Sequence, residues 1–228
     1  MSEQHHISTQ FDAELEEIRK RMLAMGGLVE EQLALAMTGY ESGDGATLAR
    51  VREGEERVNA LELDLDDRCT NIIARRQPAA SDLRLVLAVG KTLTDLERIG
   101  DEADKIARVA GQLHARGAKG PPGFSGLRTA GGLAAGMLKD ALTAFARLDT
   151  QAARTIITRD REMDDEFRRL LRELLTFMFE DPRTISTSLD VIWIAKALER
   201  IGDHAKNIAE YVVFIAEGTD VRHTHAPE

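Results

Sequence analysis

Residues 96–107 read LERIGDEADKIA and residues 198–209 read LERIGDHAKNIA, identical at nine of twelve positions. Chance identity runs at roughly one in fifteen per position for average compositions, so coincidence is a poor explanation and the chain is read as a duplication. Aliphatic residues recur at intervals of three and four in both copies, at Leu96, Ile99, Ala103 and Ile106 and at Leu198, Ile201, Ala205, Ile208 and Val212. Such a stripe buries one side of a helix against its neighbours. Alternation of period two appears nowhere at useful length, so strands are not expected.

Weaker matches extend the repeat outward. Val58-Asn59 falls against Met163-Asp164, and Pro78 and Pro182 each precede their strong motif by about the same distance. Between the copies, residues 115–132 (ARGAKGPPGFSGLRTAGG) hold Gly and Pro at a density that no helix interior tolerates. Turn signals then cut each half into three. Ser8 or Thr9 caps a first helix that SGDG at 42–45 ends, a second runs from Ala46 to about Arg76, and Ser81-Asp82 caps a third reaching about Leu113. In the second half the corresponding helices span about 127–148, 150–179 and 184–217, with Asp149 and Pro182 as punctuation. Short connections imply antiparallel neighbours. The expected fold is therefore all-α: two tandem, pseudo-symmetric three-helix bundles at 8–114 and 127–217, a linker at 115–126 and a tail at 218–228.

Composition agrees with this and narrows function. The 228 residues are only 4% aromatic, the signature of long helices packed through aliphatic contacts. A formal charge of -9 opposes a grip on nucleic acid and, on average, on anionic lipid. The polar, acidic N-terminus lacks the apolar run of a signal peptide, and no stretch of ~20 apolar residues would span a bilayer, so the expected compartment is the cytoplasm. Cys69 is read as a small core residue. Neither a phosphate-binding glycine loop nor an E-x-x-H pair occurs. Of the six histidines, His5, His6, His114, His204, His223 and His225, none accompanies a serine or cysteine nucleophile, and His223 and His225 are read as tail residues.

The chemistry-bearing residues are acidic. At 100° per residue Glu97 and Asp101 lie within about 40° of each other and roughly 140° from the aliphatic stripe, facing away from their own core. Glu199 and Asp203 repeat the placement, with Asn207 on the next turn and Glu210 near it. Two carboxylates at i and i+4 repel by a few tenths of a kcal/mol, and a cation between them reverses that sign. The preceding helix offers Asp160 and Asp164 in the second half and Glu55 and Asn59 in the first, one carboxylate fewer. A plain solvated face, balanced by Lys105 and Lys206, is the bland reading. Duplication weighs against it, because the acids recur while other positions taken as exposed, Glu102 against His204 and Asp104 against Lys206, differ. Gly100 and Gly202 each cost about 1 kcal/mol in mid-helix, which points to close approach of a neighbouring helix. Arg98 and Arg200 project about 100° from the acids, where they cover the core edge or pair across the bundle.

L-E-R-I-G-D-x-A-x-x-I-A, twice, on the third helix of each of two matched three-helix units, resembles the PhoU family, and residues 197–223 carry the closer match. The resemblance implies metal-binding E(D)-x-x-x-D motifs for divalent ions or multinuclear clusters. By position these are Glu97, Asp101, Glu199 and Asp203, with Asp160 and Asp164 as the matching pair on the fifth helix. Lys105 departs from the Asn often found in the family, as at Asn207, so the first site is expected to bind metal more weakly or differently. The resemblance also implies a homodimeric, non-enzymatic negative regulator of phosphate uptake and of the phosphate-starvation response. Its implied partners are the ATPase subunit of the phosphate ABC transporter and a phosphate-sensing histidine kinase. Two competitors are a metal-dependent phosphate-ester hydrolase and a purely structural bundle.

Overall fold

The computed structural model describes residues 2–118, 120–121 and 124–221, with side chains from residue 9 onward. Six long helices account for nearly all of it: α1 (Ser2–Ser42), α2 (Gly45–Arg76), α3 (Ala80–Ala115), α4 (Gly126–Arg147), α5 (Thr150–Glu180) and α6 (Ile185–Glu217). A single 3₁₀ turn, Pro182–Thr184, leads into α6. Among the described residues there is no strand.

The breaks follow local chemistry. After α1, Gly43 takes a left-handed φ of 75°, and the Asp44 carboxylate then accepts from the amides of Ala46 and Thr47 at 3.1 and 3.2 Å. This satisfies two amides that the first turn of α2 would otherwise leave without partners. Asp149 does the same for α5, accepting from Ala152 N at 3.0 Å. Gly218, at φ 71°, ends α6. Two expected caps are absent. The helix runs through Ser8 and Thr9 back to Ser2, and α3 starts at Ala80 with Ala79 in the cap position and no side-chain bond. Residues 222–228, with His223 and His225, lie outside the described residues.

Helices α1, α2 and α3 pack together as one unit and α4, α5 and α6 as another, and α3 lies along α6 while α1 touches α4. The aliphatic stripes do what their spacing required: Leu96, Ile99, Ala103, Ile106, Leu198, Ile201, Ala205, Ile208 and Val212 are all fully buried. They belong to one continuous apolar core that runs through both units. Cys69 is buried in it, and burial pushes its thiol up to about 11, far from a nucleophilic thiolate at neutral pH.

The α3–α6 contact is antiparallel and partly polar, and it changes the reading of several residues. Glu102, expected on the surface, is 5% exposed and receives Arg200 Nη1 of α6 at 2.7 Å and Lys105 Nζ at 3.2 Å. His204, also expected on the surface, donates from Nδ1 to Asp95 Oδ1 at 2.7 Å, and Asn207 Nδ2 donates to the same oxygen at 3.0 Å. A sequence wheel drawn around one bundle's core has no place for a second bundle, so residues lying between the two fall on its solvent side.

Candidate functional site

Each of α3 and α6 carries its acids on the flank that meets the preceding helix of its own unit. On the first side stand Glu55 and Asn59 of α2 with Glu97 and Asp101 of α3. Glu62 of α2 joins them, its carboxyl held above its ordinary range first by burial and then by the charges of Glu97, Asp66 and Asp101. Glu97 is raised by burial and then by Asp101, and Glu55 by burial with a further push from Asp101. Burial is the larger cause in each, and the neighbouring carboxylates add to it.

On the second side Asp160 and Asp164 of α5 face Glu199 and Asp203 of α6. Burial pushes Asp203 up to about 6, followed by repulsion from Glu199 and Asp160, with Asp164 adding to it. Here the chain supplies its own cations. Lys196 Nζ lies 2.6 Å from Glu199 Oε1, and Lys206 Nζ lies 2.6 Å from Asp160 Oδ2.

Placement differs from expectation in detail. Glu199 is 9% exposed instead of facing outward, whereas Asp101 does face solvent, with Arg98 3.7 Å away. Asn207 turns toward Asp95 on α3, away from Asp203. Arg200 pairs across the bundles with Glu102, but Arg98 stays on its own helix, 3.5 Å from Glu97. Lys105 goes to Glu102 and not to Asp101, and Lys206 goes to Asp160. Among the described residues no three His, Cys, Asp or Glu side chains stand together as a ready-made metal cage. Among the described side chains, His114 donates from Nε2 to the Tyr40 carbonyl at 2.8 Å and His204 donates to Asp95, so these two histidines are committed elsewhere.

Reading the motif alone singles out neither Gln32 nor Glu62 as a neighbour of the first cluster. A Cβ added at Gly100 would lie 2.8 Å from Glu55 Oε2 and 3.2 Å from Gln32 Oε1, so the glycine admits a polar pair from α1 and α2. At Gly202 the corresponding space holds Met163, at 3.0 Å, and Met137, at 3.7 Å. Both glycines therefore serve close helix approach, as their helix cost suggested. Gln32 had a signal in the sequence. It falls on the stripe Met22, Met25, Val29, Ala36 at the spacing of an apolar residue, and a polar residue there asks for a partner.

Comparison with known proteins places this geometry in a family context. The model of the PhoU domain matches twice, at residues 22–110 and 127–212. A phosphate-specific transport system accessory protein PhoU homolog of Pseudomonas putida is 52% identical over 219 residues, covering 96% of this chain and 85% of the relative. The crystal structure of PhoU from Pseudomonas aeruginosa superposes with a TM-score of 0.87 at 47% identity, over 92% of this chain and 100% of that one. The crystal structure of the phosphate transport system regulatory protein PhoU from Streptococcus pneumoniae does so with a TM-score of 0.85 at 28% identity, over 92% and 99%.

Proposed function

This chain belongs to the PhoU family, and we propose that it is a non-enzymatic regulatory accessory protein of phosphate transport. It restrains phosphate uptake and the phosphate-starvation response from the cytoplasm, as a homodimer that bridges the ATPase subunit of the transporter and a phosphate-sensing histidine kinase. The observation that carries this is near full-length similarity, 52% identity over 96% of the chain, to a protein named for that transport system. Two features of the molecule agree with it. Among the described residues no helix is long and apolar enough to cross a membrane. Two helical units fused along α3 and α6 give one body with two related faces.

In this reading the acidic clusters are cation sites that tune stability or partner choice. Glu55, Asn59, Glu97 and Asp101 form one, and Asp160, Asp164, Glu199 and Asp203 the other. A divalent ion would bring the positive charge that these raised carboxyls lack. The support is that burial, and then repulsion between neighbouring carboxylates, lifts Glu97 and Asp203.

The test is complementation. In a host lacking its own PhoU, this chain should restore repression of a phosphate-starvation reporter in phosphate-replete medium, and a tagged copy should retain the transporter ATPase and the sensor kinase. A chain that is stably expressed yet leaves the reporter fully on refutes the reading.

A further inference from the structure

We propose that the two acidic clusters are not equivalent: the first is a three-helix site for one hard divalent cation, completed by the buried Gln32 carboxamide oxygen of α1, and the second is filled by the chain's own Lys196 and Lys206 ammoniums. This rests on the cation-site reading above, which it narrows to the first cluster by withdrawing the second, with Asp203, from metal binding, and it reverses the expectation that the first site is the weaker.

Gln32 is 2% exposed. Its Nε2 donates to the Val51 carbonyl and to Glu55 Oε2, each at 3.2 Å. Its Oε1, and Oε1 of Glu55, are buried with no hydrogen-bond partner. Turning the amide over gives no relief, because Oε1 would then meet a carbonyl and a carboxylate, acceptors against an acceptor. Two buried oxygens therefore lack a donor or cation, and both are the ligand type that hard cations select. Gly100 leaves the space beside them open, since any Cβ there would crowd both side chains. Asn59 stands beside the Glu55 carboxyl, and Asp101, whose side chain is 48% exposed, lies 3.7 Å from Arg98 at the outer edge of the same cluster. The site would thus draw on α1, α2 and α3, with an amide oxygen as well as carboxylates.

The second cluster lacks each of these features. Beside Gly202, Met137 of α4 and Met163 of α5 bring a thioether and methylenes where the first cluster has an amide oxygen. Repeat alignment sets Lys196 against Thr94 and Lys206 against Asp104, so both ammoniums are peculiar to the second half. They already sit on Glu199 and Asp160 at 2.6 Å. Lys196 also lies over the Phe167 ring, 5.4 Å from its centre, which holds the ammonium in place. A metal entering there must first displace two fixed charges.

The experiment titrates Mn2+ into the full chain, stripped of metal by chelation and dialysis, with calorimetry and the loss of the free-ion electron paramagnetic resonance signal as readouts. One ion per chain is expected. Asp101→Asn should weaken it at least tenfold, Asp203→Asn should leave it unchanged, and Gln32→Met, which copies the second half, should weaken it on the order of 10–100-fold. If Gln32→Met fails to fold, Gln32→Asn, which keeps the amide but withdraws it by one methylene, should show the same loss. Wild-type affinity in a folded Gln32 variant, two equivalent ions per chain, or equal losses in Asp101→Asn and Asp203→Asn would each overturn the proposal while leaving cation binding intact. No saturable binding to the wild-type chain would overturn cation binding itself.

Discussion

At the scale of single residues, Gly100 and Gly202 occupy the same repeat position and face different chemistry. Methionine side chains yield easily, and alanine is the better helix former by about 1 kcal/mol. Gly202→Ala should therefore unfold within ~1 kcal/mol of the parent. Gly100→Ala drives a methyl against the Glu55 carboxylate and a fixed amide, and should cost about 1–3 kcal/mol. Urea unfolding of the two variants side by side decides this, and equal costs would show that the two crevices are alike. Asp203 gives a pH signature. Its carboxyl, ordinarily at 3.8, sits at about 6 in the fold, so the folded state holds the proton more tightly than the unfolded chain. The charged side chain therefore costs stability above about 6, and that cost fades as the pH falls toward 3.8. Asp203→Asn should stabilise the metal-free protein at pH 7 by about 1 kcal/mol, after allowance for solvent screening, and have almost no effect near pH 4. A stabilisation that grew on acidification would have the wrong sign.

At the scale of the element, each long helix is set by a stripe and a stop. The stripes gave the core faces of α3 and α6 directly, and the stops at 42–45, Asp149 and Pro182 mark where chain direction reverses. The expected caps at Ser8 or Thr9 and at Ser81-Asp82 failed for a shared reason. A good capping residue also tolerates the first turns of a helix, and packing decides whether the helix begins there or earlier. Asp44 is different because Gly43 has already broken α1 before it. Asp44→Ala removes the acceptor for two amides and should lower stability by about 1 kcal/mol, with unchanged helix content. Circular dichroism through a denaturant series checks both halves of that expectation.

At the scale of the molecule, the continuous core and the polar seam between α3 and α6 make the two units one folding body. The seam is built from Asp95, His204 and Asn207 and from Glu102, Arg200 and Lys105. Asp95→Ala leaves the His204 and Asn207 donors without their shared acceptor, and should cost about 2 kcal/mol. In the parent, Trp193 fluorescence, which reports on α6, and circular dichroism, which reports on all helices, should give one coincident unfolding transition. Two separated transitions would mean that the units unfold independently.

The repeat was legible as self-similarity along the chain, and the helical periodicity and the pairing of the acids one turn apart were legible because each depends on neighbours three and four positions away, within reach of a single helix. That much determined an all-α duplicated fold and singled out Glu97, Asp101, Glu199 and Asp203. Which acids meet a lysine, which meet an amide, and which lie between the bundles depended on helices far apart in the chain. Lys206 could be matched with Asp160, Arg200 with Glu102 and Gln32 with Glu55 only after α1, α2, α3, α5 and α6 had been brought side by side. Helix periodicity fixes the direction in which a side chain leaves its own axis; the charge it finds there belongs to the packing.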